Sequence, residues 1–390
     1  MKICYIIAEY NPFHLGHLRQ IEYVKNTLNA ENVVVILSGN FTQRGEMAIL
    51  DKYTRAKHCI AGGADLVIEL PTVFATSNAE YFSKGAINVI SSLNAEGGLC
   101  FGAETDDKEQ FLSLADCLNN ETKEFKTSIK EELDNGVGLA KAKYNAIKKV
   151  YGDKYNARLF SLPNNILGLE YTRAILSYKA PLSIYPFKRD DTHNDITLKK
   201  GITSASSIRL KIEEGKIKKL KKSLPSFVYS DIKPINHDID KIIMAALITK
   251  SAKEISLTPD CSEGLENRLK ALYKDNIIYN DFISKTTTKR YTSARIRRIL
   301  ICNLLGITET LVATASKSGL YAKVLAVKED KKSLISELTK TASVPILTRK
   351  SDAEKLKGLA KDCFNIDVLA NDIFALSVNA KQNENQMIIV

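Results

Sequence analysis

Residues 2–17 read KICYIIAEYNPFHLGH, and their reading decides the fold. Ile3, Tyr5, Ile6 and Ile7 are apolar at nearly consecutive positions, the pattern of a strand buried on both faces. Glu9, Tyr10 and Asn11 then turn the chain polar, Pro12 stiffens a turn, and an amphipathic helix follows. Gly16 removes a side chain where backbone must approach a ligand, and His14 and His17 flank it. The helix start offers unpaired N–H groups to a phosphate. Imidazole donors beside it suit charge that builds up on a phosphoryl oxygen. A single histidine near a helix start is ordinarily a cap or a surface residue. Two of only five histidines in one HxGH at a strand–helix junction point instead to catalysis.

Outward from this unit, strand-like runs recur at 33–38, 65–70, 98–103 and 182–188. Amphipathic segments lie between them near 16–29, 50–61, 78–93, 107–118 and 121–150. The alternation predicts a Rossmann-like, doubly wound parallel sheet with functional loops at the carboxyl ends of its strands. Beyond about residue 205 the texture becomes helix-rich and basic, at 206–222, 239–252, 263–275 and 292–305. VLAV at 324–327 and PILT at 345–348 then suggest a small α/β end unit. We read residues 1–215 as a catalytic domain and 216–390 as a basic C-terminal region, with a further division near 305 left open.

The chain has 390 residues and a formal net charge of +11. Residues 1–200 hold 24 basic and 24 acidic residues. Residues 201–390 therefore hold 56 − 24 = 32 basic and 45 − 24 = 21 acidic, the whole excess. A neutral chemical half followed by a part that meets a polyanion fits this asymmetry, as does a merely solubilising lysine surface. Lys285, Lys289, Arg290, Arg295, Arg297 and Arg298 fall in an acid-free stretch, and Arg295 and Arg298 share one helical face. Seven dispersed cysteines without a CxxC pair argue against a disulfide framework and a zinc site. No apolar run approaches the ~20 residues that span a bilayer. We place the protein in the cytoplasm, with no membrane partner and its oligomeric state open.

The HLGH resembles the HxGH signature of the nucleotidylyltransferases, in which both histidines contact ATP phosphates. A loose counterpart of that superfamily's second signature is Ile202-Thr203-Ser204-Ala205-Ser206-Ser207-Ile208-Arg209, with Ser206 and Arg209 on the β and γ phosphates. More closely, EYNPFHLGH, SGNFTQRGEMAILDKYTRAKHCIAGGADLVIELP, FGAET, SLPNNILGLEYTRAI and KRYTSARIRRIL are together similar to the tRNA(Met) cytidine acetate ligase family. That resemblance implies activation of acetate by ATP to acetyl-adenylate. The acetyl group then passes to N4 of the wobble cytidine of elongator tRNA(Met), giving N4-acetylcytidine. It makes His14 and His17 catalytic, and Ile7-Ala8-Glu9-Tyr10-Asn11-Pro12-Phe13-His14-Leu15-Gly16-His17-Leu18-Arg19-Gln20 the segment that wraps ATP. Gly102, Arg189 and one of Asn164 and Asn165 join it.

Asn40, Gln43 and Arg44 follow the second strand and read as a substrate loop; a capped turn is the plainer alternative. Lys52, Arg55 and Lys57 read as the solvated face of the next helix, and Asp65 and Glu69 receive no role. Mg²⁺ is expected to arrive with ATP, held by phosphates and water rather than by a protein cluster. The basic cluster at 285–298 is expected to meet the tRNA. Two rivals stand beside this reading: a small-molecule nucleotidylyltransferase that shares the HxGH, and a non-catalytic RNA-binding protein.

Overall fold

The computed structural model describes residues 1–189, 204–234, 237–381 and 386–390. Five parallel strands form the centre: β1 (Ile3–Ala8), β2 (Asn32–Ser38), β3 (Leu66–Leu70), β4 (Gly97–Ala103) and β5 (Leu182–Lys188). They lie in the order β5-β4-β1-β2-β3. β1 pairs with β2 from Ile3↔Asn32 to Ala8↔Leu37, and with β4 on its other side. The chain thus leaves β1 in one direction for β2 and β3, then returns to its other flank for β4 and β5. That reversal opens a crevice at the carboxyl end of β1, where ligands bind in such sheets.

Period-two geometry explains why β1 is apolar throughout. Ile3, Tyr5 and Ile7 enter one core with Phe82 and Ala86 of α3 (Ala79–Ser92) and Leu169 of α4 (Pro163–Tyr178). Cys4, Ile6 and Ala8 enter the opposite core. There they meet Ile21 and Val24 of α1 (Leu15–Asn26), Tyr53 and Ala56 of α2 (Lys52–Ala61), and Ile208 of α5 (Ala205–Glu213). Each large apolar side chain so buried contributes about 1.5–3 kcal/mol.

The sheet does not stop at β3. β6 (Ala322–Val327) adds antiparallel to β3, and β7 (Ile346–Leu347) and β8 (Ile388–Ile389) pair parallel with β6. The strands read as an end unit are therefore hydrogen-bonded into the sheet that carries HLGH. The segment 121–150 forms two helices, Lys123–Asp134 and Leu139–Tyr151, with Gly136 at φ 76° between them. The segment 206–222 likewise stops as a helix at Glu213, before Gly215 at φ 68°, and resumes as a 3₁₀ turn over Ile217–Leu220.

The reading of α2 needs correction. Lys57 is exposed, but Lys52 and Arg55 are buried. Lys52 Nζ reaches Glu69 Oε1 at 2.7 Å, and Lys323 Nζ of β6 reaches Oε2 of the same carboxylate at 2.9 Å. Burial opposes ionisation of Glu69, but Lys323 and then Lys52 hold its carboxyl below the ordinary range. Asp367, on α6 (Gly358–Ser377), accepts from Thr72 N at 2.7 Å and from the Tyr321 hydroxyl at 2.5 Å beside this cluster. Asp65 is also structural, accepting from Val33 N at 2.8 Å.

Candidate active site

Arg55 bolts together the strand ends that carry the site. Its guanidinium donates to the carbonyls of Glu9 (2.7 Å), Ser38 (3.0 Å) and Leu50 (3.0 Å), and to Gly39 O. After β1 the backbone passes through Tyr10 at φ 45°, and the Tyr10 and Phe13 rings pack edge to face at 5.0 Å. Asn11 Oδ1 accepts from Ile49 N at 2.9 Å. The chain therefore enters α1 along a fixed path.

His14 is the N-cap of α1, and its Nδ1 accepts from Gly16 N at 3.0 Å. His17 Nδ1 accepts in turn from His14 N at 3.2 Å. The two rings stack with centroids 3.6 Å apart and an interplanar angle of 21°. Because both Nδ1 atoms accept from amides, each neutral ring carries its proton on Nε2. His14 Nε2 is buried and has no hydrogen-bond partner among the described residues. Burial, then Arg189 and Arg209, push the His14 imidazole down to about 3. Burial, His14 and Arg189 lower His17 likewise. At neutral pH the pair thus presents two uncharged N–H donors.

They face a cavity of about 480 Å³ at the carboxyl ends of β1 and β4. Ile7, Ala8, Glu9, Tyr10, Asn11, His14, Gly16, His17 and Gln20 line it. Pro12, Phe13, Leu15, Leu18 and Arg19 of the same segment do not. Phe13 is instead core, and Arg19 faces solvent. Gly102 and Arg189 are adjacent in the wall, and a Cβ on Gly102 would come within 3.0 Å of Arg189 Cδ. The α5 start adds Ser204, Ser206 and Arg209; residues 202 and 203 of that segment lie outside the described residues. Arg209 donates to Asn11 O at 2.9 Å and to Ser206 Oγ at 3.3 Å, so the second signature is tied to the HLGH turn.

The structure separates the two asparagines. Asn164 lines the cavity, with Nδ2 donating to Glu104 Oε1 at 2.8 Å. Asn165 points away: its Oδ1 accepts from Glu104 N (2.9 Å) and Thr105 N (3.2 Å), and Nδ2 donates to Arg158 O (2.9 Å). It braces the loop after β4.

The loop after β2 divides similarly. Gln43 and Arg44 line the cavity. Asn40 does not; it is buried, accepting from Lys52 N at 2.8 Å and donating to Asn371 Oδ1 at 3.2 Å. Its reading as a substrate residue gives way to a structural one, because both amide ends are occupied by protein. Tyr171 of α4 adds to the wall, as do Ala79 and Phe82 of α3, a helix that no motif in the sequence had marked.

The arginine-rich segment forms the helix Ser293–Leu305 (here αR), with Ile296, Ile299 and Leu300 buried. Three arginines of the acid-free run are paired with acids from elsewhere in the chain. Arg297 pairs with Glu46, Arg298 with Asp260 at 3.0 Å, and Arg290 with Glu263 at 2.6 Å. Arg295 donates to Asp260 O and to Ser262 Oγ over the Tyr291 ring. Lys285 and Lys289 are exposed. Ala294 of αR reaches the cavity wall, so this helix adjoins the site.

The HIGH Nucleotidyl Transferase family model matches residues 1–387. The tRNA(Met) cytidine acetate ligase of Caldanaerobacter subterraneus subsp. tengcongensis is 38% identical over 396 residues, covering 97% of each chain. That of Acetivibrio thermocellus is 34% identical over 394 residues, covering 96% of this chain and 95% of its own. Thermotoga maritima TmcAL, solved with alpha-thio ATP, superposes with a TM-score of 0.91 at 27% identity, with both chains wholly covered. Matched along its whole length in sequence and in fold, the chain belongs to the tRNA(Met) cytidine acetate ligase family of HIGH nucleotidyl transferases.

Proposed function

We propose that this protein is an ATP-dependent ligase that activates acetate as acetyl-adenylate and transfers the acetyl group to N4 of the wobble cytidine of elongator tRNA(Met). The observation that carries this reading is the stacked His14–His17 pair. Both imidazoles line one cavity with Arg189 and Arg209, in a chain whose full-length relatives bear that ligase name.

In the first step an acetate oxygen bonds to the α-phosphorus of ATP, and the bond to the bridging oxygen breaks, releasing pyrophosphate. His14, His17 and Arg189 stabilise the charge on the phosphoryl oxygens. Ser206 and Arg209, at the start of α5, hold the β and γ phosphates. Gly102 and Asn164, which line the cavity, take the nucleoside in this reading. Imidazoles and guanidinium groups line this part of the cavity, so the Mg²⁺ that accompanies ATP would be held by phosphate oxygens and water. In the second step the cytidine amine takes the acetyl group and AMP leaves. Closure of the cavity by bound tRNA protects the mixed anhydride from water.

In this reading residues 1–215 do the adenylation and 216–390 bring the tRNA, in the cytoplasm. Lys285, Lys289 and Arg290 supply the exposed charge, while Arg295, Arg297 and Arg298 shape the surface beside the cavity. Replacing Lys285 and Lys289 by alanine weakens tRNA binding. It also reduces the slope of log affinity against log salt by roughly one and a half, two phosphate contacts' worth. A filter-binding titration over a salt series measures both. The function itself is tested by incubating purified protein with ATP, acetate and elongator tRNA(Met), then analysing nucleosides by mass spectrometry. N4-acetylcytidine that depends on all three is expected, and its absence with actively adenylating protein overturns the reading.

A further inference from the structure

Acetyl transfer needs a group to accept the proton that the cytidine amine loses, and the cavity wall contains few candidates. Glu9 is the only carboxylate among the described residues that line it. His14 and His17 spend their Nδ1 atoms on backbone amides, which leaves each neutral ring an N–H donor on Nε2 and no free acceptor. The Tyr10 phenol is pushed up by burial, and the Tyr171 phenol by burial and then by Glu9 itself, so neither gives a phenolate near neutrality.

The position of Glu9 is as telling as its chemistry. Glu9 Oε1 accepts from Gln43 N at 2.7 Å. Two residues on, Gly45, at φ 69°, packs so closely on the Arg297–Arg298 backbone of αR that a Cβ there would collide with it. The carboxylate therefore sits where the adenylation cavity meets the turn that seats the arginine helix. We propose, on the basis of the ligase reading above, that Glu9 is the proton acceptor of the acetyl-transfer step.

The step balances without another reactant. The N4 nitrogen bonds to the acetyl carbon, the bond from that carbon to the AMP oxygen breaks, and AMP leaves with the electron pair. The N4 proton passes to Glu9 and from there to water on product release. Burial raises the Glu9 carboxyl, and Glu46 adds to this. The Gln43 amide, Arg44 and Arg209 pull it back, so these groups together set its basicity. A carboxyl raised above its ordinary value is a better base, and it loses that role as pH falls through the raised value.

Glu9→Gln separates this role from bracing, because the amide oxygen still accepts from Gln43 N. The measurements are acetate-dependent ATP–pyrophosphate exchange and single-turnover acetyl transfer to elongator tRNA(Met), each over a pH series. Transfer in the variant is expected to fall at least a hundredfold further than exchange, within the usual range for a general base. The wild-type transfer profile has an acidic limb that the variant lacks. Hydroxylamine, a stronger nucleophile, restores acetyl capture in the variant to the level of its exchange. Transfer and exchange falling in step, or transfer unaffected, overturns the proposal while leaving the ligase reading intact. Wild-type protein without acetate-dependent exchange overturns the ligase reading and removes this proposal with it.

Discussion

Replacing His14 by asparagine, or His17 by alanine, lowers ATP–pyrophosphate exchange by about 10²–10³-fold each, the cost of one donor aimed at a developing oxyanion. Asparagine is the informative choice at position 14, because the imidazole caps α1 through Nδ1 and leaves its Nε2–H unpaired in a residue that lines the cavity. An asparagine side chain still accepts from the first turn, so helix capping is kept and the Nε2 donor alone is lost. The double variant loses less than the product of the two, since the rings stack and His14 N is bonded to His17 Nδ1. Both single variants should unfold within about 1 kcal/mol of the wild type. The same geometry fixes a pH result. Burial and the neighbouring guanidiniums lower the His14 imidazole to about 3, and His17 moves the same way. A lowered imidazole stays neutral above its shifted value, so exchange measured as kcat/KM shows no imidazole limb near pH 6.5. A limb there would mean that a protonated histidine, not a neutral donor, meets the phosphate.

Glu69→Ala should cost about 3–5 kcal/mol of folding stability, read from a urea titration followed by circular dichroism. The carboxylate lies between Lys52 and Lys323, with all three side chains nearly inaccessible. Removing it leaves two buried ammonium groups facing each other. Lys323→Met should cost less, because the Lys52–Glu69 pair survives. Glu69→Ala matching an ordinary surface substitution, within about 0.5 kcal/mol, would show that water reaches the cluster.

What the sequence disclosed follows from how local each signal is. β1 to β4 were legible because a strand buried on both faces writes its burial into consecutive residues, as in Cys4-Tyr5-Ile6-Ile7. The HLGH pair was legible for the same reason: the helix cap, the glycine and both imidazoles lie within four residues. Lys52 and Arg55 were not, since lysine and arginine on an amphipathic helix ordinarily face water. What lets Lys52 be buried is the Glu69 carboxylate on β3, which it shares with Lys323 of β6, far along the chain. Asn40 resembled part of a substrate loop because Asn371, which accepts from its amide, lies 331 residues away. Arg290, Arg297 and Arg298 looked unneutralised because their acids, Glu263, Glu46 and Asp260, lie outside the acid-free stretch. The choice between Asn164 and Asn165 rested on which helix face met the cavity, and one residue of rotation decided it.

The pairing of β6 with β3 also has a consequence for synthesis on the ribosome. When β1 to β5 have emerged, the outer edge of β3 has no neighbour, and Glu69 has only one of its two ammonium partners. Both are supplied by Ala322–Val327, after more than four-fifths of the chain has been made. An open, apolar strand edge is a template for pairing with other chains. The nascent protein must therefore carry that edge through most of its translation, and a product ending before residue 320 would be expected to aggregate rather than to persist as a free adenylating domain.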